Sequence, residues 1–318
     1  MKFLGRRALH SLVLLVGASI LSFLLVRLSP GDYFESMRIN PQISKRTIVA
    51  LRAQYGLDKP SPILYLRWVQ SVLKGDGGFS FAYNSPAEAI LWPRALNTLL
   101  LASCATLLAW AVALPAGILS AARTGSAADL LASGTIALLL AIPEVVLGLL
   151  LLLFAVHSGL PAGGMISFTN TAGFWGASRD IARHLFLPAV CLAAGLLPLL
   201  LSHVRAAMQE ALRSPFITAA RGHGIPFRRI LFRHAFRAAL NPIISLFGLS
   251  IGLLMSSSLI VEAIFGWPGL GRLLLQAIAD RDLFLIIDST MVAAGFLVAG
   301  NFIADLLLYW SDPRIRTE

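Results

Sequence analysis

Gly248-Leu249-Ser250-Ile251-Gly252 fits the G-x-S-x-G spacing of a serine nucleophile elbow. An elbow needs a strand-to-helix turn to expose the hydroxyl, and His and Asp partners to activate it. Here the five residues lie in the middle of an apolar run, where two glycines four apart also suit a helix face that packs closely on another helix. The two readings separate cleanly: alanine at Ser250 abolishes activity in an enzyme and does almost nothing to a packing face. Other enzyme signatures are missing. There is no H-E-x-x-H, and the six histidines show no metal-ligand spacing. The four lysines (2, 45, 59 and 74) follow no glycine, so there is no Walker A loop and no ATP hydrolysis by that route. Cys104 and Cys191 both sit in apolar runs and read as small buried residues, not as a disulfide or a metal pair.

Ionisable groups inside apolar runs are the remaining candidates, because burying them in lipid is costly. Glu144 follows Pro143 in mid-run and is the candidate to line a wet substrate pathway; the alternative is pairing with a neighbouring span or subunit. Asp288 lies near the start of the last run, a second pathway candidate or an interfacial residue. Asn301 and Asp305, four apart on one helix face, suit hydrogen bonding inside the bundle.

The elements that must position these residues are membrane spans. The chain has 318 residues, 57% of them hydrophobic and 13% charged, against roughly 25% charged in soluble domains. The formal net charge of +10 does not point to nucleic acid, because the basic residues cluster at span ends and in one loop. The patterning predicts an all-α polytopic membrane protein with six transmembrane helices: about 9–28, 97–122, 130–156 (broken near Pro143), 185–202 (with Pro188 and Pro198), 238–261 (kinked at Pro242) and 283–310. Lys2, Arg6 and Arg7 place the N-terminus in the cytoplasm, and six spans return the C-terminus there. No small-residue cleavage site follows the first run, which favours a retained span over a signal peptide. Pro30 and Gly31 end it, and Arg27 near its outer end is expected to snorkel to the interface. Residues 29–95 form a long outer region with two short amphipathic helices, around Ile48–Leu57 and Leu64–Leu73. Residues 157–184 form a glycine-rich outer loop and 262–282 an outer re-entrant turn. Three segments result: 1–95, 96–310 as a five-helix core, and a cytoplasmic tail, 311–318.

Between the fourth and fifth spans lies Val204–Ile243, with seven arginines (205, 213, 221, 228, 229, 233 and 237) and one acid, Glu210. The positive-inside rule places it in the cytoplasm. Ser214-Pro215 is a helix start, serine as N-cap and proline in the first turn. Phe216, Ile217, Ala219 and Ala220 make a short turn-and-a-half with an apolar side, and Gly222 and Gly224 stop it. Pro226 opens a second helix that runs into the next span. A short helix between two spans on the charged side suits a handle better than a pore.

Thr218-Ala219-Ala220-x-x-x-Gly224 resembles the E-A-A-x-x-x-G segment of permease subunits of ABC importers, with threonine in place of the usual glutamate. The surroundings are similar to one branch, the peptide/nickel permeases of dipeptide- and oligopeptide-transporter "B" type. The matching pieces run in order along nearly the whole chain: Ser29-Pro30-Gly31-Asp32; Tyr55-Gly56-Leu57-Asp58-Lys59-Pro60; Gly78-Phe79-Ser80; Ala219-Arg221-Gly222-Gly224 with Phe232-Arg233-His234-Ala235. They continue with Glu262, then Phe265-Gly266-Trp267-Pro268-Gly269-Leu270-Gly271-Arg272, Arg281-Asp282, Asn301, Asp305 and Asp312-Pro313-Arg314. Tyr33 stands where the family usually has proline, and Glu144 where no charge is expected.

The resemblance implies a bacterial inner-membrane importer of di- or oligopeptides working by alternating access. Its partners would be a second permease, two ATP-binding subunits or domains that carry the ATP and Mg, an external solute-binding protein, and membrane lipid. No cofactor would sit on this chain. Phe216, Thr218, Ala219, Ala220, Arg221, Gly222 and Gly224 would couple it to the ATPase, and Glu262, Trp267, Pro268, Gly269 and Gly271 would form an outer gate or turn. Nickel or another small solute is the alternative cargo within the family. An ion-coupled secondary transporter is the alternative outside it, and would need midplane coupling groups and usually inverted repeats.

Overall fold

The computed structural model describes residues 2–29, 31, 33–34, 45–54, 57–167 and 173–311. Pro30, Asp32, Tyr55, Gly56 and residues 312–318 of the expected tail lie outside these, as do residues 168–172 of the expected glycine-rich loop. The described chain is almost entirely helical and divides into two compact units, 3–98 with 268–296 and 99–267 with 297–318.

In the first unit, α1 (Lys2–Leu28) is followed by two short helices, α2 (Lys45–Gln54) and α3 (Ser61–Val72). Both were legible from helical spacing. Pro60 is the N-cap of α3 and Pro62 sits in its first turn, where a missing N–H costs nothing. The spacing of Leu64 and Trp68 puts both on one buried face. They join Phe23, Phe34, Ile48, Leu57, Phe81, Leu283 and Ile287 in one core. A two-stranded hairpin, β1 (Phe79–Ser80) with β2 (Ser85–Pro86), leads into α4 (Ala87–Ala122). Near the other end of the chain, α11 (Leu270–Asp280) and the start of α12 (Leu283–Ser311) pack with Ala87 and Leu91 in a second core. Arg27 does not simply snorkel. Its Nε donates to Ser61 Oγ at 3.2 Å and its Nη2 to Lys59 O at 3.5 Å.

In the second unit, α5 (Ala127–Ala141) and α6 (Glu144–Ser158) are the two halves of the expected third span, broken at Pro143. Pro143 forces Ile142 into extended backbone (φ −99°, ψ 115°). The two helices meet at 98°, a break and not a kink. Among the described residues, five helices are long and apolar enough to cross a membrane, and this bent pair is the sixth candidate. The next helix, α7 (Gly173–Arg213), has 41 residues, about 60 Å of rise. It overruns the expected span at both ends, taking residues 173–184 from the outer loop and 203–213 from the basic stretch. The short helix α8 (Pro215–Gly222) follows, then a single turn α9 (Phe227–Arg229). A π-helical turn, Ile230–Ala235, runs into α10 (Phe236–Ile264). The core of this unit is built on alanine and leucine, among them Ala105, Ala109, Ala155, Leu192 and Leu200, with Trp267 beside them.

Ser250 has no nucleophile's setting. It is fully buried, and its hydroxyl donates to Phe247 O of its own helix at 2.7 Å. Gly248 lies against Ala304 and Asn301, and Gly252 against Leu297. The two glycines therefore let α10 and the end of α12 pack closely, as the packing-face reading required. Cys104 and Cys191 are both free thiols.

Candidate functional site

The charged stretch resolves into a small surface. Ser214 has the extended backbone of an N-cap (φ −67°, ψ 149°) but makes no side-chain cap. Its hydroxyl donates back to Ala211 O, which ends the preceding long helix. Gly222 stays within α8, and the reversal falls on Gly224 at φ +72°, a region that favours glycine. An isolated eight-residue helix is marginal in water. This one is held by Ile217, fully buried among Val204, Met208, Ile230, Leu231 and Ala235. Burying that side chain contributes about 1.5–3 kcal/mol.

The opposite face is open. Thr218, Ala219, Arg221 and Gly224 are exposed and Ala220 is half-buried. Three phenylalanines point out with them: Phe216 is 50% exposed, Phe227 43% and Phe232 58%. Arg221 stacks over the Phe227 ring at 5.9 Å. A shallow cavity of about 340 Å³ beside the helix is lined by Phe216, Arg233, His234, Arg237 and Ala238. Exposed aromatic rings set among arginines are the composition of an interface, not of a solvated loop. Phe227 was not singled out in the sequence, and Phe232 entered only as part of the family resemblance, with no role. Their position among arginines was the available signal.

Arg205 was counted with this surface, but the structure turns it inward. It lies on α7 and its Nη2 is 2.7 Å from Asp129 Oδ1. Nη1 donates to Ser133 Oγ at 3.1 Å. Asp129 also accepts from Ser120 Oγ (2.5 Å) and from the Gly125 N–H (2.9 Å) in the tight turn between α4 and α5. This network ties the base of α7 to that turn. Neither residue's type announces it, because a lone acid in a short turn reads equally well as a helix cap.

Glu144 opens α6, where a carboxylate suits the helix dipole. Its Oε1 is buried and meets no hydrogen-bond partner among the described residues. It lies over Gly195 of α7, where an added Cβ would come within 3.4 Å of it. Asp288 is buried in the first unit, and its Oδ1 accepts from Trp68 Nε1 at 2.9 Å. Its Oδ2 faces the Gly77 backbone so closely that a Cβ there would stand 2.5 Å away. Asp282 is fully buried and accepts from Ser80 Oγ (2.8 Å) and the Ala82 N–H (3.2 Å).

The residues expected at the outer turn fall in two places. In the second unit Glu262 and Trp267 are fully buried, and Phe265 O accepts from the Gly164 N–H at 2.9 Å. In the first unit Pro268 O accepts from Asn97 Nδ2 at 2.8 Å. Gly269 caps α11, and the Leu270 N–H donates to Thr98 Oγ1 at 2.7 Å. Gly271 is half-buried on that helix.

Two family models match the chain. "Binding-protein-dependent transport system inner membrane component" covers residues 113–317, and the N-terminal membrane component of the same systems covers residues 1–87. Among similar proteins, the oligopeptide transport system permease AppB of Bacillus subtilis (strain 168) is 36% identical, with 99% of both chains covered. The dipeptide transport system permease DppB of Escherichia coli (strain K12) is 32% identical over 99% of both. The di/tripeptide permease DppB of Pseudomonas aeruginosa (strain UCBPP-PA14) is 33% identical over 100% of this chain and 99% of its own. In fold, the chain is similar to one from inward-facing crystal structures of the MetNI methionine ABC transporter. The TM-score is 0.58 at 18% identity, over 71% of this chain and 97% of that one.

Proposed function

Because this chain belongs to the family of binding-protein-dependent transport system inner membrane components, we propose that Pro215–Gly222 couples it to separate ATPase chains and that di- and oligopeptides are its cargo. The observation that carries the coupling is the two-sided helix: Ile217 locked into the α7–π-turn core, and Phe216, Thr218, Ala219 and Arg221 turned outward. A lever needs both. The inner face passes force to α7 and to the π-turn and α10, which flank the pathway, and the outer face receives it. The cargo reading rests on the relatives, permeases of oligopeptides, dipeptides and di/tripeptides.

The mechanism is alternating access. An external binding protein delivers peptide to the outer side. Closure of the ATPases around ATP and Mg moves α8 as a rigid body, and hydrolysis resets it. The arrangement is a heterodimer with a second permease in the bacterial inner membrane, with both termini cytoplasmic. The arginine-rich stretch between α7 and α10 supports that orientation. Glu144, whose buried oxygen lacks a partner among the described residues, is a pathway residue able to meet a substrate ammonium. Asp288 holds the outer segment through Trp68 and contributes to the pathway wall.

The test is peptide uptake with ATPase co-purification. Ala220→Asp places a charge at the docking face. Gly224→Leu forces a left-handed backbone position on a branched residue with open space around it, so its effect falls on the helix's direction and not on the core. Both variants are expected to abolish uptake and to detach or uncouple the ATPase. Normal uptake with intact coupling in both removes the assignment. Uptake of nickel in place of peptide leaves the lever and replaces the cargo.

A further inference from the structure

The first unit holds a cavity of about 760 Å³ lined by none of the residues assigned above to coupling. Its walls come from α1, α11 and the start of α12, with Leu25, Leu274 and Ile278 on the apolar side. Among the described residues lining it, the charged ones are three arginines: Arg27, Arg52 and Arg281. We propose that this cavity is a binding site for an anionic phospholipid, its acyl chain along Leu25, Leu274 and Ile278 and its phosphodiester on Arg27, Arg52 and Arg281.

Three observations support it. The first is the pairing of a long apolar wall with a cationic end, at the end of a membrane-spanning helix. That is the amphiphile's own layout, and free phosphate has no use for the wall. Second, Arg27 is placed by design. Its bonds to Ser61 Oγ and Lys59 O hold the guanidinium at the cavity and leave further N–H groups of a planar fork suited to phosphate oxygens. The third is strain at Arg281. This residue caps α11 in the left-handed region (φ +55°, ψ 38°). Helices usually place glycine there, because a Cβ in that conformation costs free energy. An arginine at such a position points to a use for its side chain. Two acids lie close by, Asp280 and Asp282. Asp282 is occupied by Ser80 and Ala82, and Asp280 lies outside the lining. Tyr33, also in the lining, remains a neutral hydroxyl, since burial pushes its pKa up and Asp280 and Asp282 add to the shift.

The experiment is native mass spectrometry of the assembled transporter, titrated in parallel with phosphatidylglycerol, phosphatidylcholine and glycerol phosphate. Phosphatidylglycerol is expected to be retained in preference to the zwitterionic lipid, and glycerol phosphate is expected not to displace it. Arg281→Gly should weaken phosphatidylglycerol binding roughly fivefold, and the Arg27→Gln/Arg52→Gln/Arg281→Gly triple roughly a hundredfold. Arg281→Gly also relieves the backbone, so its unfolding temperature should hold or rise, which separates lost binding from misfolding. Equal retention of the two lipids, or wild-type retention by Arg281→Gly, overturns the site. So does a photo-crosslinker at Leu25 that captures the second permease in place of lipid.

Discussion

The segment around α8 and the segment around Asp282 and Asp288 both concentrate charge, and they treat it in opposite ways. Around α8 the arginines and phenylalanines face outward and one isoleucine anchors the whole element. Around Asp282 and Asp288 the carboxylates are buried and hold distant pieces of chain together, Ser80 across 202 positions and Trp68 across 220. Exposed charge on a weakly anchored helix is available to a partner. Buried carboxylates bonded to distant parts of the chain fix a shape. The two segments therefore differ in what a substitution reports: loss of coupling in one, loss of stability in the other.

The sharpest test of that distinction is Arg205, the basic residue that looks like the first kind and behaves as the second. Arg205→Met leaves Asp129 without its cation and Ser133 without its guanidinium donor, and should lower the thermal unfolding midpoint. Adding Asp129→Leu should recover part of the loss in thermal unfolding. If the single variant unfolds like wild type, the inward arginine belongs with the outward ones.

Asp282→Ala should cost about 2 kcal/mol, since it strands the Ser80 hydroxyl and the Ala82 N–H, with peptide-stimulated ATP turnover per folded molecule preserved. Ile217→Ala removes the anchor of α8 from a packed site. Its cost, about 2–4 kcal/mol, should appear as faster hydrogen exchange in residues 215–222 and reduced uptake. Phe232→Ala, by contrast, should lower ATPase affinity with stability changed by less than about 0.5 kcal/mol. Equal loss of stability in the last two variants would erase the contrast between the two faces.

The smallest effect is the most discriminating about local structure. A serine N-cap is worth about 1 kcal/mol. Ser214 bonds the end of the preceding helix instead, so Ser214→Ala should change stability by a few tenths of a kcal/mol.

Much of this is legible in the amino-acid sequence. Runs of apolar residues and clustered arginines identify a polytopic membrane protein. Pro215 and Gly224 bracket a short helix, and Gly248 with Gly252 marks a close-packed face, because proline, glycine and hydropathy act through local backbone and solvent preferences that need no distant partner. Tertiary structure decided the rest. It turned Arg205 inward to Asp129, set α5 and α6 at 98°, carried α7 through the first part of the basic stretch, and closed Trp68 on Asp288. Each of these depends on what a residue meets across the fold. An arginine's charge is the same in a loop or in a buried pair, and only the neighbour supplied by packing tells which of the two it serves.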